Sequence, residues 1–314
     1  MKLLVTQTLP DAVEAAIGEK FDTTFRAGRP MTSDEARSAL QTYDAILPTL
    51  GDQFSAQAFE GDLRCKVLAN FGVGYNHIDV AAAKGAGLQV SNTPGAVTDA
   101  TADIALTLML MTARRASEGE AMLRAGQWTG WAPTQLLGMH LTGKTLGVIG
   151  MGRIGKAIAK RSHFGFGMDV VFFNRSSVPA FDVPCEQLDS IDAVMQRADV
   201  VVLAVPATPE THHLINADTL KNMQSHAILV NIARGDIVEE AALIDALSTG
   251  QIAGAGLDVY EKEPSVPQAL IDLPNCSLLP HLGTAALEVR ESMGFMAFDN
   301  LVAFAQAKPL PNAV

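Results

Sequence analysis

The sequence predicts an α/β protein: two doubly wound parallel-sheet domains with a cleft between them. Three observations lead there. Short apolar runs alternate with helical patterns along most of the chain, the order that yields parallel strands joined by crossover helices. Runs such as 200–205 and 227–232 are almost wholly apolar, as strands are when both faces of a sheet are covered. The run 144–149 ends in Gly150, Gly152 and Gly155 at G-x-G-x-x-G spacing and opens into a helical pattern.

The first lobe reads as strands at 3–5, 44–47, 67–69 and 88–90, with helices at 12–19, 33–40 and 80–85 and Ser33 as a helix cap. A boundary falls near Asn92, Thr93, Pro94 and Gly95. Residues 99–123, rich in Ala, Leu and Met, read as one long helix linking the lobes. The second lobe carries strands at 144–149, 169–173, 200–205, 227–232, 254–259 and 276–279. A helix over 286–304 is expected to return to the first lobe. The division is therefore 1–98 with 286–314, and 99–285.

The glycine turn has a specific chemical use, and it makes the second lobe Rossmann-like. Gly150 permits the tight turn, Gly152 lets the backbone approach a pyrophosphate, and Gly155 lets helix and strand pack closely. The helix N-terminus then presents unpaired N–H groups to the anion. The following strand ends at Asn174, Arg175, Ser176 and Ser177. An NAD site usually has Asp or Glu there to bond the ribose 2′-hydroxyl. A neutral Asn174 with Arg175 beside it favours a 2′-phosphate, which a guanidinium pairs through its planar fork. NADP(H) is favoured, and NAD(H) stays open.

Composition narrows the partners. With 314 residues, 48% hydrophobic and 18% charged, the chain has an ordinary globular balance and can bury two cores. A net charge of −11 opposes binding to polyanionic nucleic acid and to anionic membrane surfaces. Cys65, Cys185 and Cys276 are odd in number and widely spaced, which suits free thiols in a reducing cytoplasm. The N-terminus lacks the apolar length of a secretion signal. The apolar run 104–111 is stopped by Arg114 and Arg115, too short to cross a bilayer.

Three strand ends carry chemistry. Arg234 follows one apolar strand, Asp258, Glu261 and Glu263 follow another, and His281 follows the last. Ligands of open α/β sheets bind beyond the carboxyl ends of strands. An arginine binds a carboxylate bidentately, a histidine delivers a proton near neutral pH, and a carboxylate orients that histidine. That combination suits reduction of a keto acid. Taken singly, each has a bland reading that outweighs the chemical one: Arg234 as a loop ion pair, Glu263 as a solvated charge and His281 as a helix cap.

From about Leu68 to Asn300 the chain resembles the D-2-hydroxyacid dehydrogenase family, within it the glyoxylate/hydroxypyruvate reductases. The resemblance lies in 70–79 (NFGVGYNHID), 90–95 (VSNTPG), the glycine turn, 231–236 (NIARGD), 256–264 and 281–284 (HLGT). The first 60 residues match only in pattern. The resemblance implies a substrate-binding domain in 1–98 with 286–314 and a dinucleotide-binding domain in 99–285. It implies Arg234 as the substrate-carboxylate arginine, Glu263 rather than Glu261 as the partner glutamate, and His281 as the acid/base. Val73 and Gly74 fall in the loop whose N–H groups hold the carboxylate. Thr101, Arg153, Ile154, Val205, Thr211, Ile232, Asp258 and Gly283 fall at positions lining the dinucleotide. Family members are usually homodimers, and in similar reductases a partner tryptophan borders the pocket, which makes Trp131 a candidate beside Trp128. Thr284 replaces the commoner serine and keeps the hydroxyl.

The reading is thus NADPH-dependent reduction of glyoxylate and hydroxypyruvate to glycolate and D-glycerate. Two alternatives stand beside it: an NAD-linked D-2-hydroxyacid dehydrogenase of another substrate, and a dinucleotide-sensing, corepressor-like binding protein. No metal site is proposed. His77 and Asp79 lack a third ligand, and His212 and His213, being adjacent, are expected to point apart.

Overall fold

All residues from Met1 to Val314 are described by the structure, a computed structural model. The chain divides into two units, Met1–Val97 with Thr284–Val314, and Thr98–Gly283. Each is built on one parallel sheet.

The first unit holds β1 (Lys2–Val5), β2 (Asp22–Phe25), β3 (Ala45–Leu47), β4 (Val67–Ala69) and β5 (Gln89–Ser91), in the order β2-β1-β3-β4-β5. Helices α1 (Asp11–Lys20), α2 (Ser33–Thr42) and α3 (Val80–Gly85) connect them. Apolar residues alternate between the two faces of this sheet. Leu4, Ile46, Leu68 and Val90 join one buried cluster, while Leu3, Val5, Ala45, Leu47, Val67 and Ala69 join the other. The cap of α2 is Thr32 rather than Ser33: its hydroxyl accepts from Glu35 N while the Glu35 carboxylate accepts from Thr32 N.

The second unit begins with α4 (Thr98–Ala113) and α5 (Ala116–Arg124). The single helix expected over 99–123 is therefore broken. Arg115 takes the left-handed conformation at φ 51°, and Met139 N binds the Ala113 carbonyl at 2.7 Å, ending the first helix. The sheet follows: β6 (Thr145–Ile149), α6 (Arg153–Phe166), β7 (Asp169–Phe173), β8 (Cys185–Gln187), α7 (Ile191–Arg197), β9 (Val200–Leu203), α8 (Ala217–Leu220), β10 (Ile228–Asn231), α9 (Glu240–Ser248), β11 (Gly254–Leu257), α10 (Gln268–Ile271) and β12 (Cys276–Leu278). After it, α11 (Leu287–Ala305) belongs to the first unit.

The order of the seven strands is β12-β11-β10-β9-β6-β7-β8, all parallel. It reverses between β6 and β9, and ligands bind at such a switch point. Val201 and Leu203 point into one buried cluster, Val200 and Val202 into the other, so β9 is covered on both faces. Helix α4 packs on β10, β11 and β12 of its own unit. No helix is long and apolar enough to cross a membrane.

Candidate active site

The glycine turn sits at the switch point. Gly150 has φ 100°, which only glycine adopts without strain, and a side chain there would meet Ala204 O and Val205 Cγ1 at 2.7 Å. Gly155 is packed harder: a Cβ would lie 2.3 Å from Gly150 O. Gly152 is different. A Cβ there would meet nothing within 4 Å, so the missing side chain leaves open space in front of the turn. Gly152 is also the N-cap of α6, and no side chain caps that helix. Its first N–H groups, from Arg153, Ile154 and Gly155, are the orphan donors that hold phosphate at a helix N-terminus. The fit to a dinucleotide pyrophosphate rests on that open, uncapped end.

The end of β7 is shaped by amides. Asn174 Oδ1 accepts from Met151 N at 3.3 Å, and its Nδ2 donates to Ser176 O and Oγ. Gln187 Nε2 donates to the carbonyls of Asn174 and Ser176 at 3.0 and 3.1 Å. Asn174 thus braces the glycine turn against the strand end, and its own donors are occupied by the protein. Arg175 is exposed, with no ion pair. The loop after β9 closes on itself: the Thr211 hydroxyl donates to Pro206 O at 2.8 Å and accepts from Thr208 N at 2.8 Å. Val205 is half-buried and Ile232 buried.

Arg234, Glu263 and His281 come together at the carboxyl ends of β10, β11 and β12. The buried side chain of Asn231 shapes the first loop, accepting from Ala233 N at 3.0 Å and donating to Arg234 O at 2.8 Å. Burial pulls the Arg234 pKa below its ordinary value, against the opposing charges of Glu263 and Asp236. Gly235 is obligatory by packing: a Cβ would lie 1.8 Å from the Tyr260 carbonyl carbon and 2.3 Å from Glu261 N. Glu263 Oε1 accepts from Tyr260 N at 3.0 Å, and its Oε2 meets His281 Nδ1 at 2.7 Å. Burial pushes the Glu263 carboxyl up. The hydrogen bond and charge of His281, the Tyr260 N–H and the charge of Arg234 outweigh that, so its pKa lies below the usual glutamate value.

His281 has φ 54°, a conformation that costs a non-glycine residue energy and persists where neighbours impose it. The neighbours are identifiable. His281 N donates to Asp258 O at 2.9 Å, and the Asp258 carboxylate accepts from Leu282 N at 2.6 Å and Gly283 N at 2.8 Å. Thr101 Oγ1 donates to Gly283 O at 3.2 Å. Asp258 is 1% exposed, and burial raises its pKa despite the two backbone donors. Asp258 and Thr101, assigned by resemblance to the dinucleotide, hold the backbone that presents the imidazole.

In the other unit, Val73 and Gly74 lie in a loop whose carbonyls are all turned inward. Asn70 Nδ2 donates to Gly72 O and Gly74 O at 3.0 Å, and Asn92 Nδ2 donates to Val73 O at 2.9 Å. A trans peptide points its N–H opposite to its C=O. The N–H groups of Val73, Gly74 and Tyr75 therefore face the other way, without a partner in the chain. Sequence reasoning missed Asn70, Asn92, Asn231, Gln187 and Gly235. All but Gln187 lie in motifs that it quoted, so their position in loops at strand ends was the available signal.

A parallel sheet with a dinucleotide cradle at its switch point and a titratable cluster on the same edge defines an oxidoreductase. The family is more particular: residues 106–283 match the model of the D-isomer specific 2-hydroxyacid dehydrogenase NAD binding domain, and the chain belongs to that family. It is 39% identical to a glyoxylate reductase of Thermococcus kodakarensis over 319 residues, 100% of this chain and 96% of the relative. It is 39% identical to a glycerate dehydrogenase of Hyphomicrobium methylovorum over 305 residues, 95% and 94% of the two chains. Among solved structures, an NADPH-dependent glyoxylate/hydroxypyruvate reductase from Sinorhizobium meliloti, in complex with NADP and malonate, matches with a TM-score of 0.88 and 34% identity, covering 100% of this chain and 96% of that one.

Proposed function

We propose that the protein reduces small 2-keto acids, glyoxylate and hydroxypyruvate, to glycolate and D-glycerate with NADPH. The observation that carries this is the position of Glu263, which bonds His281 at 2.7 Å and is charge-coupled to Arg234. A proton donor and a carboxylate binder thereby share one organiser. The dinucleotide, when bound, supplies the hydride. Gly150, Gly152, Arg153, Ile154 and Gly155 hold its pyrophosphate, Arg175 and Ser176 its 2′-phosphate end, and Val205, Thr211, Ile232, Asp258 and Gly283 line it. Arg234 binds the substrate carboxylate through its fork and orients the carbonyl. His281 gives the proton of its other ring nitrogen to the oxygen that becomes the hydroxyl, and Glu263 holds the imidazolium on Nδ1. The resemblance assigns the Val73 and Gly74 N–H groups to the same carboxylate, and their lack of an acceptor within the chain supports them as anion donors.

NAD(H) is a second reading with its own observation. The Glu210 carboxyl is held low first by the Thr208 hydroxyl and lastly by the charge of Arg175, so an acid faces the guanidinium assigned to the phosphate. We also propose a homodimer in a reducing cytoplasm, on the exposure of Trp131 (82%) and Leu137 (66%) and on three free cysteines. The deciding experiment follows reduced-nicotinamide absorbance with NADPH or NADH against glyoxylate, hydroxypyruvate, pyruvate and 3-phosphohydroxypyruvate. Turnover of glyoxylate and hydroxypyruvate with NADPH ahead of the rest is the expected result. Inactivity on all four, or preference for NADH, overturns the substrate or the cofactor reading. Sedimentation velocity checks the dimer.

A further inference from the structure

The adjacent histidines do not point apart. Their rings stack with centroids 3.9 Å apart, because His213 leaves regular structure at φ 49°. His213 is built into the catalytic edge. Its N–H donates to Asp236 O at 2.8 Å, and the segment beyond it zips onto the Arg234 loop through Ile215 N to Ile237 O and Glu239 N to Ile215 O. Its ring Nε2 meets Glu261 Oε1 at 2.5 Å.

Glu261 lies in the turn that sets Glu263. Its N–H donates to Glu240 Oε1 at 2.9 Å, and Gly235 presses against its backbone from the Arg234 side. Burial raises the Glu240 carboxyl, and the neighbouring charge of Glu261 adds to that, so these two carboxylates repel. Lys262 partly offsets the repulsion. Asp236, Arg234 and the stacked His212 complete the charged and titratable surroundings. His213 is the donor on the Glu261 carboxylate.

We propose that His213 and Glu261 form a positioning couple: they hold the 260–263 turn, and through it keep the Glu263 carboxylate against His281. The couple also ties the loop carrying Val205 and Thr211 to the proton-donating pair. Neither residue touches the reacting atoms. The inference rests on the proposed His281–Glu263 chemistry and adds the element that aims it.

The test compares His213→Phe, which keeps a ring stacked on His212 but removes Nε2, with Glu261→Gln and with His213→Gln, which restores a donor. Turnover of glyoxylate across pH, NADPH affinity by fluorescence and Tm are measured on the full chain. His213→Phe should lower kcat by about ten-fold, since small misplacements of reacting groups cost that much or more. It should move the alkaline limb of the kcat profile to lower pH with NADPH affinity nearly intact, and His213→Gln should recover part of both. The double variant His213→Phe/Glu261→Gln should be no worse than the single ones. Glu263→Gln separates the two levels. If it leaves the limb unmoved, the His281–Glu263 reading itself fails. If it moves the limb and neither His213→Phe nor Glu261→Gln does, the couple does not position Glu263 and the proposal is overturned.

Discussion

Two glycines of one motif should respond in opposite ways to the same methyl group. At Gly155 a Cβ would lie 2.3 Å from Gly150 O and 3.2 Å from Val148 Cγ1. The first neighbour is backbone in a turn already at φ 100°, so it cannot swing aside. Overpacking of this kind costs on the order of 1–3 kcal/mol, and a unit of this size loses about 2–4 °C of Tm per kcal/mol. Gly155→Ala should therefore unfold several degrees earlier without any cofactor present. At Gly152 the same methyl meets nothing within 4 Å, and φ is −80°, open to any residue. The folded state tolerates it, and the lost flexibility of the unfolded chain adds roughly 0.4–1 kcal/mol of stability. The methyl does occupy the space in front of the α6 N-terminus. Gly152→Ala should raise the NADPH dissociation constant by about ten-fold or more, some 1.4 kcal/mol, with Tm level or slightly higher. Calorimetry of the cofactor-free proteins and a fluorescence titration with NADPH read both effects. A Gly152→Ala protein that binds NADPH like wild type would mean that the pyrophosphate does not approach Gly152. One that melts like Gly155→Ala would mean that the open space is not open.

Four further outcomes follow from the site, and a fifth from the buried cysteines. Arg175→Ala should raise the NADPH Michaelis constant by about ten-fold and barely change that for NADH, the loss of one charge-assisted phosphate contact; steady-state kinetics with both cofactors show it. His281→Asn should abolish most turnover with NADPH binding intact. Glu263→Gln should move the alkaline limb of the pH–rate profile to lower pH, because an anion beside the imidazolium favours its charged form, and removing the anion reverses that. Arg234→Lys keeps a charge but loses the fork, and should cost on the order of 2–4 kcal/mol in kcat/KM for glyoxylate and much less for glycolaldehyde, which has no carboxylate. Burial pushes the Cys65 and Cys276 thiols up to about 12, so at pH 8 both should resist an aromatic disulfide reagent until the protein is unfolded.

What the sequence revealed and what it hid divide along physical lines. The buried strands were legible because both faces are covered and most of their residues are apolar. The edge strands β2 and β8 were not: in β2, Asp22, Thr24 and Phe25 are exposed and only one side is paired. Helices α4 and α5 share an unbroken helical composition, and the break at Arg115 comes from a distant segment, Gly138 and Met139, which no local pattern announces. Arg234, Glu263 and His281 were legible as charged groups at strand ends. Their supports were not, because an asparagine that bonds backbone looks like any turn asparagine until its partners are known. Asn70 and Asn92 hold the Val73–Gly74 loop, and Asn231 holds the arginine loop. The stacking of His212 on His213 was misread because the argument assumed regular structure, and a positive φ removes it.

The charge arrangement explains why one carboxylate serves two cations. The chain carries −11 overall, which opposes approach of an anionic keto acid. At the strand ends two cationic side-chain types, Arg234 and His281, lie on one edge with Glu263 between them and Asp236 and Asp258 nearby. Two cations in a partly buried site repel strongly, and the repulsion grows as the effective dielectric falls. Glu263 would offset such repulsion, since it bonds His281 and is stabilised by the charge of Arg234. In the proposed mechanism, with His281 as the protonated acid, the trio alone carries one net positive charge against the one negative charge of a substrate carboxylate. In that mechanism, once His281 has given up its proton the trio is neutral and no longer offsets the charge of the product carboxylate. On the proposed mechanism the same three residues would draw the keto acid in and hold the hydroxy acid less tightly until His281 is protonated again. A lone arginine and histidine without Glu263 would keep their mutual repulsion before the reaction and their grip on the product after it.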